Sequence, residues 1–291
     1  KLHGTRGEVG NTQAIQIMTE AASNAGFSKI NFQDEPIAAA YKIEQTLPRD
    51  TTALIVDIGG GTTDICCINL SPERNNQLDR KQDVLSVTGR RLGGMDCDKS
   101  LLLKVVAPEM GMGLKMINGL PIPPTYYSDM CAVDNIPALT RFFSDDYGLE
   151  ISQTMSVTKH PEQLERLLLV QENKLSARVV NSVRMAKELL SSKDKITLPL
   201  HYIEEDFDVN ISTEDLKSAL KPWLSKVKAL VVECLEKSAA APEVVMVTGG
   251  MSLSPIIIDA LYEELLTGLP RLENDAFNSV CEGLAIQASK F

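Results

Sequence analysis

The chain has 291 residues, of which 44% are hydrophobic and 23% charged; these values are typical of globular proteins and exclude a disordered, collagen-like or disulfide-rich chain. Its net charge of −10, from 29 basic and 39 acidic side chains, argues against a broad surface for nucleic acid or anionic lipid. The six cysteines lack C-x-x-C spacing, and no apolar run reaches the roughly 20 residues of a membrane helix. We therefore expect a cytoplasmic protein of about two domains, without a membrane or nucleic-acid partner.

The first half of the chain predicts helices and strands in alternation. Apolar residues at helical spacing predict a helix over 11–25, and Pro36 begins a second, alanine-rich helix that ends near residue 46. The apolar run at 53–56 is typical of a strand buried on both faces. Further predictions are strands over 29–33, 65–70 and 83–89, and a helix after Gly93-Gly94. The stretch 108–152 has no sustained period and is predicted to be irregular.

The second half begins with a long amphipathic region, 161–192. A coiled coil is the alternative there, but the heptad pattern is not kept for three or four repeats, which favours packing inside a globular subdomain. Ser212 and Asp215 have the spacing of a helix start, and Pro222 predicts a kink or break in that helix. The other predicted elements are a hairpin of 196–202 with 207–211, a strand over 244–247 and a helix over 279–290.

The segment 57–64, with the sequence DIGGGTTD, is the most informative part of the chain. Adjacent glycines are best explained by a turn with unusual dihedral angles or by the close approach of a ligand. Backbone N–H groups in such a turn can bind phosphate oxygens, and a carboxylate at a strand end can hold hydrated Mg²⁺. An ordinary hairpin turn with Asp64 as a local cap is the alternative. The P-loop pattern and G-x-G-x-x-G after a strand are both absent.

A second buried strand, 244–247, also ends at glycines, Gly249 and Gly250. In open α/β sheets, ligands bind outside the carboxyl ends of the strands. The two strand-to-glycine turns are therefore candidate parts of one binding site.

The segment 57–64 resembles the second phosphate motif of the actin and DnaK-type heat-shock chaperone ATPases. Four further segments resemble other motifs of these proteins, in the same order: the first connecting helix at 35–40 (EPIAAA), L-G-G-x-D-x-D within 89–98 (GRRLGGMDCD), A-K-x-x-L-S-S at 186–192 (AKELLSS) and the adenosine motif at 247–255 (VTGGMSLSP). The second and third of these favour the chaperones over actins and sugar kinases. The sequence is most similar to the YegD-like group, which lacks a substrate-binding domain.

The resemblance implies an α/β fold: an actin-like ATPase (ribonuclease H-like) lobe with a mixed sheet and flanking helices, plus an inserted α+β subdomain. The implied parts are the end of a first lobe at 1–52, a second-lobe core at 53–94 and 212–276, the inserted subdomain at 95–211 and a C-terminal helix at 277–291 that returns to the first lobe. The family's first phosphate motif would precede 11–25 and is not found. We therefore expect a carboxyl-terminal portion that does not hydrolyse ATP by itself.

Site residues follow from the same resemblance, with ATP or ADP and Mg²⁺ as cofactors. Glu35 would order water, Asp57 would hold the Mg²⁺ shell and Asp64 would support the nucleophile. The residues implied to contact nucleotide are Gly59, Gly60, Gly61 and Thr62 at the phosphates and Lys187, Ser191, Gly249, Gly250, Met251 and Leu253 at the nucleoside. Two alternatives remain: Glu35 as a helix N-terminal carboxylate, and Lys187 as a lysine on a solvent-facing helix surface.

Several positions depart from the pattern of these chaperones. Arg184 and Glu188 replace a glutamate and an arginine that flank the motif lysine. Met251 replaces a serine, Leu253 replaces the arginine that stacks on adenine, and Phe277 replaces a late aspartate. An apolar slot holds a planar base but loses hydrogen-bond discrimination, so we expect weak nucleotide binding that tolerates different bases.

The sequence therefore predicts nucleotide binding and, in the intact protein, ATP hydrolysis that drives lobe closure in a chaperone-like role towards a protein client or cochaperone. One alternative is a non-catalytic interaction scaffold with a degenerate nucleotide pocket. Another is a different phosphotransferase of the actin-like superfamily, such as a sugar kinase, or a polyphosphate phosphatase.

Overall fold

The computed structural model describes residues 7–74, 77, 80–272 and 278–290. Phe277, which stands in place of the late aspartate of the chaperones, lies outside them. The chain forms two compact units. The first, here called the sheet unit, comprises the chain up to Gly94 and from Trp223 onwards, and the second, the helical unit, is Met95–Pro222.

The elements of the first 156 residues are α1 (Gly7–Asn24), α2 (Glu35–Glu44), β1 (Thr51–Ile58), β2 (Thr63–Leu70), β3 (Val84–Arg90), α3 (Gly94–Val105), α4 (Thr125–Met130), α5 (Ile136–Phe142) and α6 (Asp145–Ser156). They are followed by α7 (Pro161–Glu172), α8 (Ser176–Leu189), β4 (Lys195–Pro199), β5 (Asp208–Ser212), α9 (Thr213–Ser238), β6 (Val244–Thr248), α10 (Pro255–Glu264) and α11 (Ser279–Ala288). In the part of the chain that the structure describes, no helix combines the length and apolar character needed to cross a lipid bilayer.

The sheet unit contains a four-stranded sheet in the order β3-β2-β1-β6. β1 is antiparallel to β2 and parallel to β6, so the sheet is mixed. Val87 of β3 packs against a core cluster formed with α2, whereas the neighbouring Ser86 donates a hydrogen bond to the carbonyl of Cys234 in α9 at 2.7 Å. Because successive strand residues point to opposite faces, α2 and α9 cover opposite faces of the sheet. The predicted mixed sheet with flanking helices is thus confirmed.

In the helical unit, the hairpin of β4 and β5 leads directly into α9. The N–H of Ser212 donates to Oδ2 of Asp215 at 3.0 Å, and the N–H of Asp215 donates to Oγ of Ser212 at 3.2 Å. This reciprocal pair is a capping box and confirms the predicted helix start.

Three of the predicted elements are wrong. Residues 29–33 are not a strand, because they have no strand partner in the sheet that the structure describes. The stretch 108–152 holds α4, α5 and most of α6. α4 and α5 are too short to show a period, and the side chains of Asn135 and Ser144 cap α5 and α6. The break predicted at Pro222 is wrong, because α9 continues through it to Ser238; the predicted kink stays a prediction.

Candidate functional site

The two glycine turns lie side by side at the carboxyl ends of the neighbouring strands β1 and β6. β1 and β6 run parallel, and Asp57 is the register partner of Thr248. Gly249 follows with φ +81°, in the region that favours glycine. A Cβ placed there would collide with the carbonyl oxygen of Ile58 and lie 2.6 Å from Oδ1 of Asp57. The second turn therefore packs directly against the end of β1.

The glycine loop, residues 59–62, connects β1 to β2. The N–H of Gly59 donates to the carbonyl of Thr62 at 2.9 Å, which closes the hairpin. Asp57 and Asp64 are opposite each other in the antiparallel register on either side of the loop. Directly opposed residues project from the same face of a sheet, so two carboxylates of like charge flank the loop on one face.

A third carboxylate, that of Glu35, also acts on this site. Glu35 is the exposed first residue of α2, and a Pro follows it. Burial has the largest effect on the pKa of Asp57 and, together with the negative charges of Glu35 and Asp64, raises it to about 7. Both effects disfavour an ionised Asp57 and would be relieved by a cation. Because Glu35 lies in the first turn of α2, a role as a helix N-terminal carboxylate also stays open.

The carboxylates beside the glycine loop fit a hydrated Mg²⁺ ion and not a closed metal cage. In the described ranges, no group of three or more His, Cys, Asp or Glu side chains forms a cage for a metal ion. Mg²⁺, however, keeps several of its waters in proteins and is commonly held through one or two carboxylates plus substrate phosphates. Asp57, with Asp64 opposite it on the same face, fits that kind of hydrated, ligand-completed site.

The segment after Gly249 makes a 3₁₀ turn, Gly250–Leu253, that leads into α10. Oγ of Ser252 donates to the carbonyl of Gly249 at 2.8 Å and stabilises the turn. Met251 is buried, whereas Leu253 is 57% exposed. The two apolar substitutions in the adenosine-type motif therefore differ in environment: one packs inside the sheet unit and the other is at its surface.

Lys187 and Ser191 lie in the helical unit, Lys187 in α8 and Ser191 immediately after it. Lys187 is only 8% exposed, so the alternative of a lysine on a solvent-facing helix surface is wrong. Its Nζ lies 2.7 Å from Oδ1 of Asp98 in α3. Burial raises the pKa of Asp98, and Lys187 opposes that shift. Lys187 thus has an anionic partner within the protein.

Within the sheet unit, the structure brings together Glu35, Asp57, Asp64, the glycine loop and Gly249 with its following turn. Lys187 and Ser191 belong to the other unit. Sequence reasoning did not assign site roles to Gly93 and Gly94, which pack against the glycine loop, or to Asp98, which pairs with Lys187. A glycine doublet between a strand and a helix was the available signal for the first two residues.

The chain is similar to known proteins over more than 90% of its length and, separately, over its first part. The family model described as MreB/Mbl protein matches residues 11–73. A chaperone protein dnaK of Thalassiosira pseudonana is 24% identical over 96% of this chain and 38% of its own length. A chaperone protein HscA homolog of Rickettsia rickettsii is 23% identical over 92% of this chain and 32% of its own length. A chaperone protein DnaK of Thermoplasma volcanium is 34% identical over 95 residues.

These similarities support a relationship to the actin-like ATPase superfamily, and the mixed sheet with flanking helices is consistent with that fold. The chain spans 38% and 32% of the lengths of the first two relatives described, so the activity and partners of a whole protein are matters for proposal.

Proposed function

We propose that this protein binds the phosphates of a Mg²⁺-nucleotide, ATP or ADP, at the glycine loop. The observation that supports this most directly is the position of Asp57. It is a buried carboxylate at the carboxyl end of a parallel strand, opposite Asp64 and against Gly249. Phosphate ligands of α/β folds bind at such strand ends, where backbone N–H groups and a carboxylate-held cation act together.

Each residue has a proposed task at this site. N–H groups of the glycine loop would bind phosphate oxygens, and Asp57 would hold the hydrated metal. Glu35 would order a water molecule, and Asp64 would support that water as the nucleophile. When bound, Mg²⁺ would supply neutralisation of the phosphate charge.

Beyond the phosphates, the proposal extends to the nucleoside and to the role of the whole protein. We propose nucleoside contacts for Gly250, Met251 and Leu253 in the sheet unit and, separately, for Lys187 and Ser191 in the helical unit. We also propose the lobe boundaries that the sequence predicts. By analogy with the chaperone relatives, ATP hydrolysis would drive lobe closure in a chaperone-like role towards a client or cochaperone. Assignment to the YegD-like group and a cytoplasmic location are further parts of this proposal.

The proposal is tested by calorimetric titration of the protein with ADP and ATP, each with and without Mg²⁺. We expect Mg²⁺-dependent binding, with affinity at least tenfold lower in Asp57→Asn. Asp259→Asn in α10 is the matched control, because it makes the same charge change at an exposed position of the sheet unit and is expected to bind like the wild type. Wild-type protein that binds neither nucleotide at millimolar concentration would contradict the proposal.

A non-catalytic scaffold is a second candidate, supported by a specific observation. Lys187 already has Asp98 as a partner, and Leu253 offers no hydrogen bond to a base. If the protein is such a scaffold, the wild type and Asp57→Asn would bind the partner with the same affinity, and neither would release phosphate from ATP. Phosphate release that is lost in Asp57→Asn would favour the enzyme.

A further inference from the structure

We propose that Gly93 and Gly94 are positioning residues that hold the glycine loop in the conformation that binds phosphate. This inference rests on the proposed function. Both glycines are buried, and they connect β3 to the start of α3. They touch the loop through its backbone, so their effect on a ligand would be indirect.

Two hydrogen bonds tie the glycine loop to the segment around these glycines. The N–H of Gly94 donates to the carbonyl of Gly59, the first residue of the loop, at 3.0 Å. Just beyond the loop, Oγ1 of the buried Thr63 donates to the carbonyl of Leu92 at 2.6 Å. The first residue of the loop and the residue just after it are therefore both anchored to the short segment 92–94.

Steric contact fixes the middle of the loop as well. A Cβ on Gly93 would lie 2.6 Å from the N of Gly61 and 2.7 Å from the carbonyl carbon and oxygen of Gly60. These are backbone atoms, so they cannot give way unless the loop itself moves. Any side chain at Gly93 would displace the peptide between the second and third loop glycines.

The crowding at Gly94 is of a different kind. A Cβ there would lie 2.8 Å from Sδ of Met251 and 3.7 Å from Cα of Gly60. The near neighbour is a side chain that a substitution can shorten. A substitution of Gly93 must therefore move the loop, whereas the clash caused by a substitution of Gly94 can be removed by shortening Met251.

A run of three glycines has wide conformational freedom in isolation. Phosphate binding requires its N–H groups to point to one place, and holding them there before the ligand arrives reduces the entropic cost of binding. Contacts from Leu92, Gly93 and Gly94 supply that restraint from behind the loop. The loop sequence by itself does not.

The first experiment compares Gly93→Ala with Gly148→Ala by titration with Mg²⁺-ADP, Mg²⁺-pyrophosphate and adenosine. Gly148 is a matched control because it lies in α6 of the helical unit, and its added Cβ would crowd only the side-chain amide of Gln171. We expect Gly93→Ala to lower the affinity for pyrophosphate and ADP at least tenfold and to leave adenosine binding within twofold. An equal loss for all three ligands, or no loss, would overturn the inference.

The second experiment uses Gly94→Ala, Met251→Ala and the double variant. We expect Gly94→Ala to weaken pyrophosphate binding and the double variant to bind it as Met251→Ala alone does. This set also decides the question if Gly93→Ala does not fold. Failure of Met251→Ala to relieve the effect would contradict the positioning role.

The third experiment separates the inference from the proposed function. Amide NMR of the ligand-free protein should show shifted Gly60 and Gly61 signals and faster exchange of the Gly59 N–H in Gly93→Ala but not in Gly148→Ala. Unchanged loop signals would overturn the positioning role even if nucleotide binds. Changed loop signals in Gly93→Ala, together with a wild type that binds no phosphate, would support the positioning role while the proposed function fails.

Discussion

Nζ of Lys187 lies 2.7 Å from Oδ1 of Asp98, and the two residues are only 8% and 3% exposed. The pair joins the segment that resembles A-K-x-x-L-S-S to the one that resembles L-G-G-x-D-x-D, within one unit. A nucleoside that uses Lys187 would have to share the ammonium group with Asp98. The pair is therefore both a structural contact and a limit on the proposed site.

Removing one charge of this pair is expected to destabilise the fold. Lys187→Met leaves the buried Asp98 without its cation, and loss of one partner of a buried ion pair costs about 3–5 kcal/mol. We expect a lower free energy of unfolding in urea by about 3 kcal/mol. Part of that loss should return in Lys187→Met combined with Asp98→Asn, since no uncompensated charge then remains.

Lys193→Met is the control for this series, because Lys193 is exposed and lies just after α8. It should change the unfolding free energy by less than about 0.5 kcal/mol. A Lys187→Met variant as stable as this control would show that the ion pair contributes little.

The raised pKa of Asp57 predicts a pH dependence of stability in the protein free of nucleotide and divalent cations. Burial and the charges of Glu35 and Asp64 raise this pKa from 3.8 to about 7. The folded state therefore favours the protonated carboxyl more than the unfolded state does. The contribution to stability is greatest below about pH 4 and is lost as the pH rises through about 7. One pKa unit corresponds to about 1.4 kcal/mol, so the loss is up to about 4 kcal/mol.

Urea unfolding of the wild type and Asp57→Asn between pH 4 and pH 8 measures this effect. As the pH rises, the free energy of unfolding of Asp57→Asn should increase relative to that of the wild type. Asp259→Asn should follow the wild type over the same range. A pH-independent difference between wild type and Asp57→Asn would contradict the raised pKa.

Close packing of α2 on α11 depends on Gly283. A Cβ at this position would overlap the carbonyl oxygen of Ala38 in α2. Because that oxygen belongs to helix backbone, the two helices would have to separate. We expect Gly283→Ala to lower the free energy of unfolding by at least about 2 kcal/mol. Gly148→Ala, where only the amide of Gln171 must move, should lose less than half as much in the same thermal or urea measurement.

The affinity for an adenine nucleotide is predicted to depend on Leu253. This residue is 57% exposed and replaces the arginine that stacks on adenine in the chaperones that the sequence resembles. A guanidinium over an aromatic ring at an exposed site contributes about 0.5–1 kcal/mol. We expect Leu253→Arg to raise the affinity for ADP about two- to fivefold in a calorimetric titration.

An exposed leucine of the helical unit provides the control for that substitution. Leu189→Arg adds the same charge at a residue that is 46% exposed, and is expected to leave ADP affinity unchanged. An equal gain in both variants would mean that added positive charge, and not stacking at position 253, is responsible.

Local sequence was sufficient for the elements that have strong local signals. The apolar run at 53–56 and the capping pair Ser212 and Asp215 were predicted and are confirmed. The strand predicted at 29–33 failed because a strand needs hydrogen-bonding neighbours, which local pattern does not reveal. α4 and α5, at six and seven residues, are too short for periodicity to be visible, and burial of aromatic side chains such as Tyr126 and Phe142 stabilises them.

The candidate site shows the same division. The glycines and acidic residues of 57–64 predict a phosphate-binding turn from local sequence alone. The pairing of Lys187 with Asp98, and the packing of Gly93 on the glycine loop, could not be read from spacing because each joins residues that are distant in sequence.

The sequence by itself determined the chemistry available to this protein: two apolar strands that end in glycines, carboxylates beside the first turn, and a net charge of −10. Only the tertiary structure decided which of these groups meet. Parallel pairing of β1 with β6 places Asp57 beside Thr248, and antiparallel pairing with β2 places it opposite Asp64. The physical reason is that strand register is set by hydrogen bonds and core packing between distant segments, and that burial and neighbouring charge then raise the pKa of a carboxylate that would titrate normally in the unfolded chain.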